Sequence, residues 1–174
     1  GTGIAALIDS NTDIAQSSRE MAAEEIQQAK AKGVTPEGTI VAQDGLSVVV
    51  NPANPVSNLT IKQLSDIYTG KVTNWKDLGG NDERIAVLSR EKNSGTHVFF
   101  LEHVVRMGKN DDSIQYAPST QMQPSSSALV QQVAVTPNAI GYVGLGYAEG
   151  AKVKELGISS KPGDKPAMPD HTDA

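Results

Sequence analysis

The stretch ERIAVLSREKNSGTHVFFLEHVV, residues 83–105, changes within a few positions from a pattern typical of a strand to one typical of a helix. Residues 83–89 are rich in aliphatic side chains and have the length of a strand. From His97 onward, the apolar side chains have the spacing of a helix. Gly95 lies in the turn between these two parts. The stretch therefore predicts a strand, a turn and a helix, which together form the basic unit of an α/β fold.

The turn carries groups that donate hydrogen bonds. A helix that begins near Ser94 leaves the backbone N–H groups of Gly95, Thr96 and His97 unpaired at the positive end of the helix dipole. The hydroxyls of Ser94 and Thr96 add donors, and Arg90 can return across the turn as a planar cation. This pattern is typical of a site for a tetrahedral oxyanion. The spacing is equally compatible with a purely structural interpretation. In that case Ser94 only caps its helix and Arg90 is a solvated surface residue.

Outward from this stretch, helical and strand-like segments alternate along the chain. Helices are predicted at residues 3–9, 21–31, 60–68, 97–105 and 125–135. Strands are predicted at residues 13–18, 39–50, 83–89 and 139–145. The segment NPANPVSN, residues 51–58, interrupts the pattern and is predicted to be a hinge. The alternation predicts α/β layering.

A second glycine-bounded helix start lies at the beginning of the sequence. GTGIAAL, residues 1–7, places Gly1, Thr2 and Gly3 at the N-terminus of a helix, where backbone N–H groups can again face an anion. Ser18 follows from the end of the next predicted strand. These residues predict additional donors for the same kind of ligand.

The residues around Ser18 have alternative, purely structural interpretations. Ser17 and Glu20 fit the capping box S-x-x-E, in which Ser17 serves only the stability of the following helix. Arg19 is either a second cation for the ligand or part of a solvated face beside Glu20.

Composition argues against several classes of function. The chain has 174 residues, a formal net charge of -5 and no cysteine. The acidic charge argues against a nucleic-acid partner, and the lack of cysteine excludes disulfides and thiolate chemistry. The longest apolar runs, LSVVV and HVFFLEHVV, are far below the roughly 20 residues that a membrane-spanning helix requires.

Enzymatic and metal-binding patterns are weak. No G-x-x-x-x-G-K-[ST] nucleotide loop is present. The three histidines lack the paired spacing of metal ligands, and His97 is expected at the surface. Trp75, Tyr142 and Tyr147 are interpreted as core anchors. We therefore predict no enzymatic activity, no metal and no cofactor.

Several motifs in one order carry a resemblance to a known family. They are GTGIAAL, DIAQSSREM, DGLSVVVNPANPVSNLT, QLSDIYTGKVTNWKDLGG, SREKNSGTHVFFLEHVV and AIGYVGLGYA. Together they resemble the periplasmic phosphate-binding proteins of high-affinity phosphate ABC transporters, through roughly residues 1–158. The resemblance implies a phosphate site that contains Arg90, Ser94, Gly95 and Thr96, because the family's Arg-x-x-x-Ser-Gly-Thr motif matches position by position. Ser18, Thr2 and Gly1 are the candidates on the other side of the ligand.

The resemblance implies a two-lobed α/β architecture that closes over one phosphate at a hinge. Residues 51–142 correspond to one lobe, and residues 1–50 and 143–174 to a partial first lobe. The family's opening strand and helix and a C-terminal segment have no counterpart here, and a ligand serine of its glycine-rich loop would fall immediately before Gly1. We expect the chain to be a truncated or processed form. Apolar helix faces around Ile4, Leu7 and Ile8 would then be covered by a missing segment or another chain.

The implied function is that of a solute receptor that delivers inorganic phosphate to an ABC permease in the membrane. Its expected location is the periplasm or the outer face of the cytoplasmic membrane, either free or lipid-anchored. Some relatives have an Asp where this chain has Ser18, so discrimination of phosphate from sulfate by that residue is in doubt. Binding of another tetrahedral oxyanion, sulfate or molybdate, is an alternative, and so is a surface or interaction protein that retains the fold without transport.

Overall fold

The computed structural model describes residues 2–17, 19–41 and 45–169. Helices and strands alternate along these ranges, and the α/β class predicted from the sequence is confirmed. The helices are α1 (Thr2–Ile8), α2 (Ala23–Ala31), α3 (Ile61–Tyr68), α4 (Gly95–Phe100), α5 (Ser126–Val135) and α6 (Leu145–Ala148). A 3-10 turn covers Trp75–Leu78, and α4 continues directly into a π-helical turn at Leu101–Val105.

The strands are short and lie almost entirely after residue 45. They are β1 (Leu46–Val50), β2 (Asn58–Thr60), β3 (Ala86–Arg90), β4 (Gln121–Gln123), β5 (Ala139–Gly144), β6 (Lys154–Glu155) and β7 (Gly157–Ser159). One sheet has five strands in the order β4-β3-β5-β1-β6. β3 runs parallel to both β4 and β5, whereas β1 runs antiparallel to β5 and β6. β2 and β7 form a separate parallel pair.

Both faces of the five-stranded sheet are covered, which explains why its central strands are almost continuously apolar. Val48, Val50, Ile140 and Tyr142 belong to one core, together with apolar side chains of α3 and α4. The alternate positions, among them Val49, face a second core built with α5. This alternation has the period of two that a strand requires.

Cα proximity divides the chain into two compact units, Gly1–Gln43 with Asn93–Gly95, and Asp44–Lys92 with Thr96–Ala174. The smaller unit has a core of its own, in which Ile4 and Ile8 of α1 pack with Ala29 of α2. The bounds of these units differ from those of the predicted lobes, 1–50 with 143–174 and 51–142. That lobe division stays a prediction.

Several expectations for the N-terminal part are wrong. Residues 13–17 form no strand, and the strand predicted at 39–50 is limited to its last five residues among those described, 39–41 and 45–50. Ile4 and Ile8, expected to need cover from outside, are buried by the chain itself at 3% and 7% exposure. A segment becomes a strand only where a neighbouring strand accepts its backbone hydrogen bonds, and residues 13–17 have no such partner among the described residues.

Ser17 does not cap a helix, so the capping box predicted for it is also wrong. Its hydroxyl lies 2.7 Å from the carbonyl of Arg19, in a local turn, and α2 begins only at Ala23. Glu25 does the capping instead, because its Oε2 accepts the backbone N–H of Ala22 at 2.8 Å. α2 ends at Ala31, as predicted, and Gly33 follows shortly after with a φ of 81°, a left-handed conformation that glycine favours.

Of the three predicted core anchors, two are confirmed. Trp75 is buried, and its indole N–H donates to the carbonyl of Asn138 at 2.9 Å. Tyr142 is buried in the stack beneath the sheet, parallel to Phe100 at 3.8 Å between ring centroids. Tyr147 is 55% exposed, so its assignment to the core is wrong.

Candidate anion-binding site

Arg90 is the last residue of β3 and is partly exposed. Its Nη1 donates to Ser126 Oγ at 2.6 Å, and its Nη2 donates to the carbonyl of Pro124 at 3.3 Å. Its Nε is buried and has no hydrogen-bond partner among the described residues. The guanidinium is therefore held by the segment that leads into α5 and is not a freely solvated surface group. The role of Arg90 in an anion site stays a prediction.

The sequence Ser94-Gly95-Thr96 lies where a helix begins, as predicted. α4 starts at Gly95, so the first backbone N–H groups of this helix have no acceptor within it. Ser94, Gly95 and Thr96 are partly exposed, whereas the next residue, His97, is buried. Asn93–Gly95 group with the smaller compact unit, and Arg90 and Thr96 with the larger one.

The candidates from the N-terminal segment are described only in part. Thr2 is exposed and is the first residue of α1. Gly1 and Ser18 lie outside the described residues. Ser94 and Gly95 belong to the same compact unit as Thr2. The roles predicted for Gly1, Thr2 and Ser18 as ligands stay predictions.

Arg19, considered as a second cation, has a structural role. Its guanidinium donates through Nη1 and Nη2 to the two carboxylate oxygens of Glu25, both at 2.8 Å. The hydrogen bonds from Arg19 lower the pKa of Glu25 to about 2. The pair links the turn before α2 to the first turn of that helix. Neither of the two interpretations from the sequence, ligand or solvated face, anticipated this ion pair.

His97 is the clearest residue that the sequence interpretation placed wrongly. It was expected at the surface, but it is 4% exposed, and its Nδ1 lies 3.1 Å from the hydroxyl of Ser89. Desolvation lowers the pKa of His97 below its ordinary value, an effect to which Lys92 adds and which a hydrogen bond with the Arg90 backbone opposes. Burial also raises the pKa of the neighbouring phenols Tyr116 and Tyr142. The site thus rests on a buried polar layer of neutral groups.

Ser126 contacts Arg90, although the sequence did not single it out. It is buried in the first turn of α5, directly after Ser125, whose side chain caps the helix by accepting from the Ala128 N–H at 3.0 Å. The run of three serines at 125–127 signals a helix start. It does not indicate which serine contacts Arg90, because that depends on how β3 and α5 pack.

Three further findings concern a cavity, possible metal ligands and possible membrane-spanning helices. A cavity of about 290 Å³ lies at the start of β3, at the opposite end of the strand from Arg90, and Arg84 and Asn138 are among its lining residues. Within the described ranges, no three metal-ligating side chains lie together. The helices in those ranges are all too short or too polar to cross a lipid bilayer.

Curated proteins of similar sequence are phosphate-binding proteins. Phosphate-binding protein PstS of Borreliella burgdorferi is 31% identical over 159 residues, which are 91% of this chain and 55% of the relative. Phosphate-binding protein PstS of Staphylococcus epidermidis is 34% identical over 94% of this chain and 49% of the relative. This chain therefore spans about half the length of the curated relatives it matches.

Solved structures agree with the sequence relatives. An ABC-type phosphate transport receptor from Vibrio cholerae matches with a TM-score of 0.70 and 34% identity, over 95% of this chain and 63% of the other. A protein from Clostridium perfringens, described as a candidate phosphate ABC transporter substrate-binding protein, was solved with bound phosphate. It matches with a TM-score of 0.79 and 34% identity, over 91% of this chain and 60% of the other.

The family assignment follows from the length of chain that matches. Residues 1–170 of the 174-residue chain match the PBP superfamily domain. The motifs that suggested a binding-protein resemblance are spread through the same region. The chain therefore belongs to the PBP superfamily.

Proposed function

We propose that this chain binds inorganic phosphate as part of the solute receptor of an ABC-type phosphate importer. The observation that carries the proposal is the arrangement at the end of β3. An arginine held by Ser126 and Pro124 precedes a Ser-Gly-Thr helix start, in a chain 34% identical to a protein solved with bound phosphate. The relatives with assigned names are phosphate-binding proteins and phosphate transport receptors.

In this proposal, Arg90 supplies the positive charge and the helix start supplies neutral donors. The backbone N–H groups of Gly95 and Thr96 and the hydroxyls of Ser94 and Thr96 would donate to the phosphate oxygens. The buried, unpartnered Nε of Arg90 is a further donor on the same guanidinium. A desolvated anion gains more from such fixed donors than it would in water, because the local dielectric constant is low.

Thr2, Gly1 and Ser18 are the proposed ligands from the N-terminal segment. Gly1 and Thr2 would contribute donors at the start of α1, and Ser18 a hydroxyl. A hydroxyl can both donate to an oxyanion and accept the proton of a monohydrogen phosphate, whereas an ionised carboxylate only accepts. Ser18 in place of a carboxylate therefore removes one source of repulsion against fully ionised anions. Sulfate and molybdate are the competing ligands for this reason.

The proposed role is binding and delivery, without catalysis, and the proposed partner is an ABC permease in the membrane. The relatives' names describe binding and transport and no reaction. A receptor of this kind works outside the cytoplasmic membrane, so we propose a periplasmic or outer-face location. The proposed location is the same for a free receptor and for one attached to the membrane through a lipid.

The test is calorimetric titration of the 174-residue chain with phosphate and with sulfate. We expect saturable, phosphate-selective binding, weakened at least about a hundredfold in Arg90→Ala, because a charged fork that makes two hydrogen bonds is lost. Arg84→Ala is the matched control, since it removes the same charge just before β3 from an exposed position.

The outcomes separate the alternatives. If sulfate bound as tightly as phosphate or more tightly, sulfate would become the proposed ligand and the site assignment would stay the same. Undiminished binding by Arg90→Ala would contradict the site assignment. A folded chain that binds neither anion would favour an interaction protein that retains the fold.

A further inference from the structure

Beneath the candidate site lies a group of polar side chains that the proposed function does not use. Ser89 of β3, His97 of α4, Tyr142 of β5 and Tyr116 from the loop before β4 form it. Ser89 Oγ lies 3.1 Å from His97 Nδ1 and 2.7 Å from the Tyr142 hydroxyl. The Tyr142 and Tyr116 hydroxyls lie 2.8 Å apart, and the Tyr116 hydroxyl is 3.1 Å from the backbone carbonyl of His97. The four contacts form a closed ring that begins and ends at His97.

The protons available to this ring can be counted. Each of the three hydroxyls has one proton to donate, and the His97 carbonyl can only accept. Tyr116 must therefore donate to that carbonyl, which leaves Tyr142 to donate to Tyr116. Ser89 must then donate to Tyr142, and the contact between Ser89 and His97 needs a proton from the imidazole. Every contact has a donor only when His97 Nδ1 carries a proton.

A competing use of the serine proton is less favourable. Ser89 Oγ also lies 3.3 Å from the carbonyl of Arg90, which could accept from it. If Ser89 donated its proton to that carbonyl, the one hydroxyl proton of Tyr142 would have to serve two contacts. These are the contact with Ser89 at 2.7 Å and the contact with Tyr116 at 2.8 Å, and it could serve only one of them. Two oxygens would then face each other without a proton in a buried position, which costs free energy. The short contacts therefore favour the directed ring.

The ring joins the two segments that hold the candidate ligands. Ser89 precedes Arg90 at the end of β3, and His97 follows Thr96 in the first turn of α4. We propose that His97 is a positioning residue for the anion site, held as the tautomer protonated on Nδ1, and that it fixes Arg90 and Thr96 relative to each other. This inference rests on the proposed function for its consequence in binding, but the tautomer and the ring do not depend on any ligand.

The surroundings suit a neutral imidazole in this role. His97 packs against the ring of Tyr116, with 4.5 Å between centroids. Ser89 and Tyr116 contact it directly, and the Arg90 backbone and the charge of Lys92 also act on it. The hydroxyls are neutral and Lys92 is a cation, so a second proton on the buried ring has no anionic partner among these groups.

The ligand-independent test is the imidazole nitrogen NMR spectrum of the isotope-labelled chain without phosphate. Protonated and unprotonated ring nitrogens give distinct resonances, and loss of the His97 signals in a His97→Asn variant assigns them. We expect the protonated nitrogen of neutral His97 to be Nδ1. A proton on Nε2 alone would overturn the proposal whatever the chain binds.

The binding test compares two replacements of different chemistry. His97→Asn keeps an N–H donor at about the reach of Nδ1, whereas His97→Leu has similar bulk and no donor. We expect His97→Leu to weaken phosphate binding about fivefold, as for one lost hydrogen bond, and His97→Asn to recover most of the affinity. His103→Leu, at an exposed position in the same helical run, is the matched control and should bind like the parent.

The possible results are distinguishable. Equal loss in His97→Asn and His97→Leu, or no loss in either, would overturn the positioning role. Circular dichroism of each variant identifies loss of fold, and if His97→Leu does not fold, Tyr142→Phe tests the same ring. We expect Tyr142→Phe to weaken binding by a similar factor, and unchanged affinity would overturn the proposal. A parent chain that binds no phosphate would refute the proposed function, whereas the NMR test would still decide the ring.

Discussion

At the scale of single residues, the direction of the Arg90 guanidinium is set by the Pro124 carbonyl and by one side chain, that of Ser126. Ser126 is buried and accepts from Nη1 at 2.6 Å. We predict that Ser126→Ala weakens phosphate binding about fivefold, because Arg90 loses a hydrogen bond worth roughly 1 kcal/mol that orients its fork. Calorimetric titration with phosphate measures the effect.

The adjacent serine provides the control for this prediction. Ser127 is exposed in the same first turn of α5, so Ser127→Ala changes the same side chain without touching Arg90. Ser125 keeps the helix cap in both variants. If Ser126→Ala and Ser127→Ala bind phosphate equally well, Ser126 does not position the arginine.

His97 also gives the stability of the fold a pH dependence. Burial lowers the pKa of His97 below its ordinary value of 6.5, so the unfolded chain binds a proton at a higher pH than the folded chain does. The free energy of unfolding should therefore rise with pH from the lowered pKa up to about 6.5 and then level off. We predict that this component is absent from His97→Asn. Urea unfolding of both proteins between about pH 5 and pH 7 measures the difference, and parallel curves would contradict the prediction.

Residue roles were predictable where they depend on local sequence alone. The helix start at Gly95 and the glycine at the end of α2 follow from neighbours in the chain. The burial of His97 and the contact of Ser126 with Arg90 do not, because both depend on packing between β3, α4 and α5. His97 lies between two partly buried positions, Thr96 and Val98, in a short helix, so periodicity gave no reason to place it in the core.

At the scale of elements, Asn51 connects the end of β1 to the end of α5. Its amide donates to the carbonyls of Val133 and Ala134, at 3.0 Å and 2.9 Å, and its Oδ1 accepts from the Ala53 N–H at 2.9 Å. The last carbonyls of a helix have no partner within it, so Asn51 caps α5 from another part of the chain. We predict that Asn51→Ala destabilises the fold by about 2 kcal/mol, since the partly buried Ala134 carbonyl loses the Asn51 donor and the Val133 carbonyl is left with the Thr136 N–H at 3.3 Å. Urea unfolding measures the cost.

This prediction also bears on the hinge proposed for residues 51–58. Asn81→Ala is the control, because Asn81 is exposed in a loop, and we expect it to change stability by less than about 0.5 kcal/mol. A similarly small effect of Asn51→Ala would mean that the segment is loosely attached at its start. The hinge itself stays a prediction.

Elements with strong periodicity were predictable, and the weaker ones were not. α3, α5, β3 and β5 were each predicted to within a few residues of their observed bounds, whereas the strand predicted at 39–50 begins only at Leu46. β4 and β6 are two or three residues long and polar, so they exist only because β3 and β1 offer them backbone partners. The predicted strand at 13–18 failed for the opposite reason, since no strand lies beside residues 13–17 among the described residues.

At the scale of the whole molecule, the net charge of the chain is negative, whereas the proposed site attracts an anion. The chain has a formal net charge of -5, and its proposed ligand is an anion. Long-range repulsion between exposed charges is screened by salt, whereas attraction within a few ångströms of a partly buried arginine is screened much less. The charge of the whole chain should therefore slow the approach of phosphate more than it weakens the complex.

The response to salt tests this separation. We predict that phosphate affinity changes by less than about threefold between about 0.05 M and 0.5 M sodium chloride, while the association rate rises, because salt screens the repulsion but hardly affects the contact with Arg90. Stopped-flow mixing gives the rate and calorimetry the affinity. Arg84→Ala, which makes the chain more negative at a distance from the site, should lower the rate at low salt and leave the affinity at high salt unchanged. An affinity that falls steeply with salt would mean that exposed cations hold the anion in place of Arg90 and the helix start.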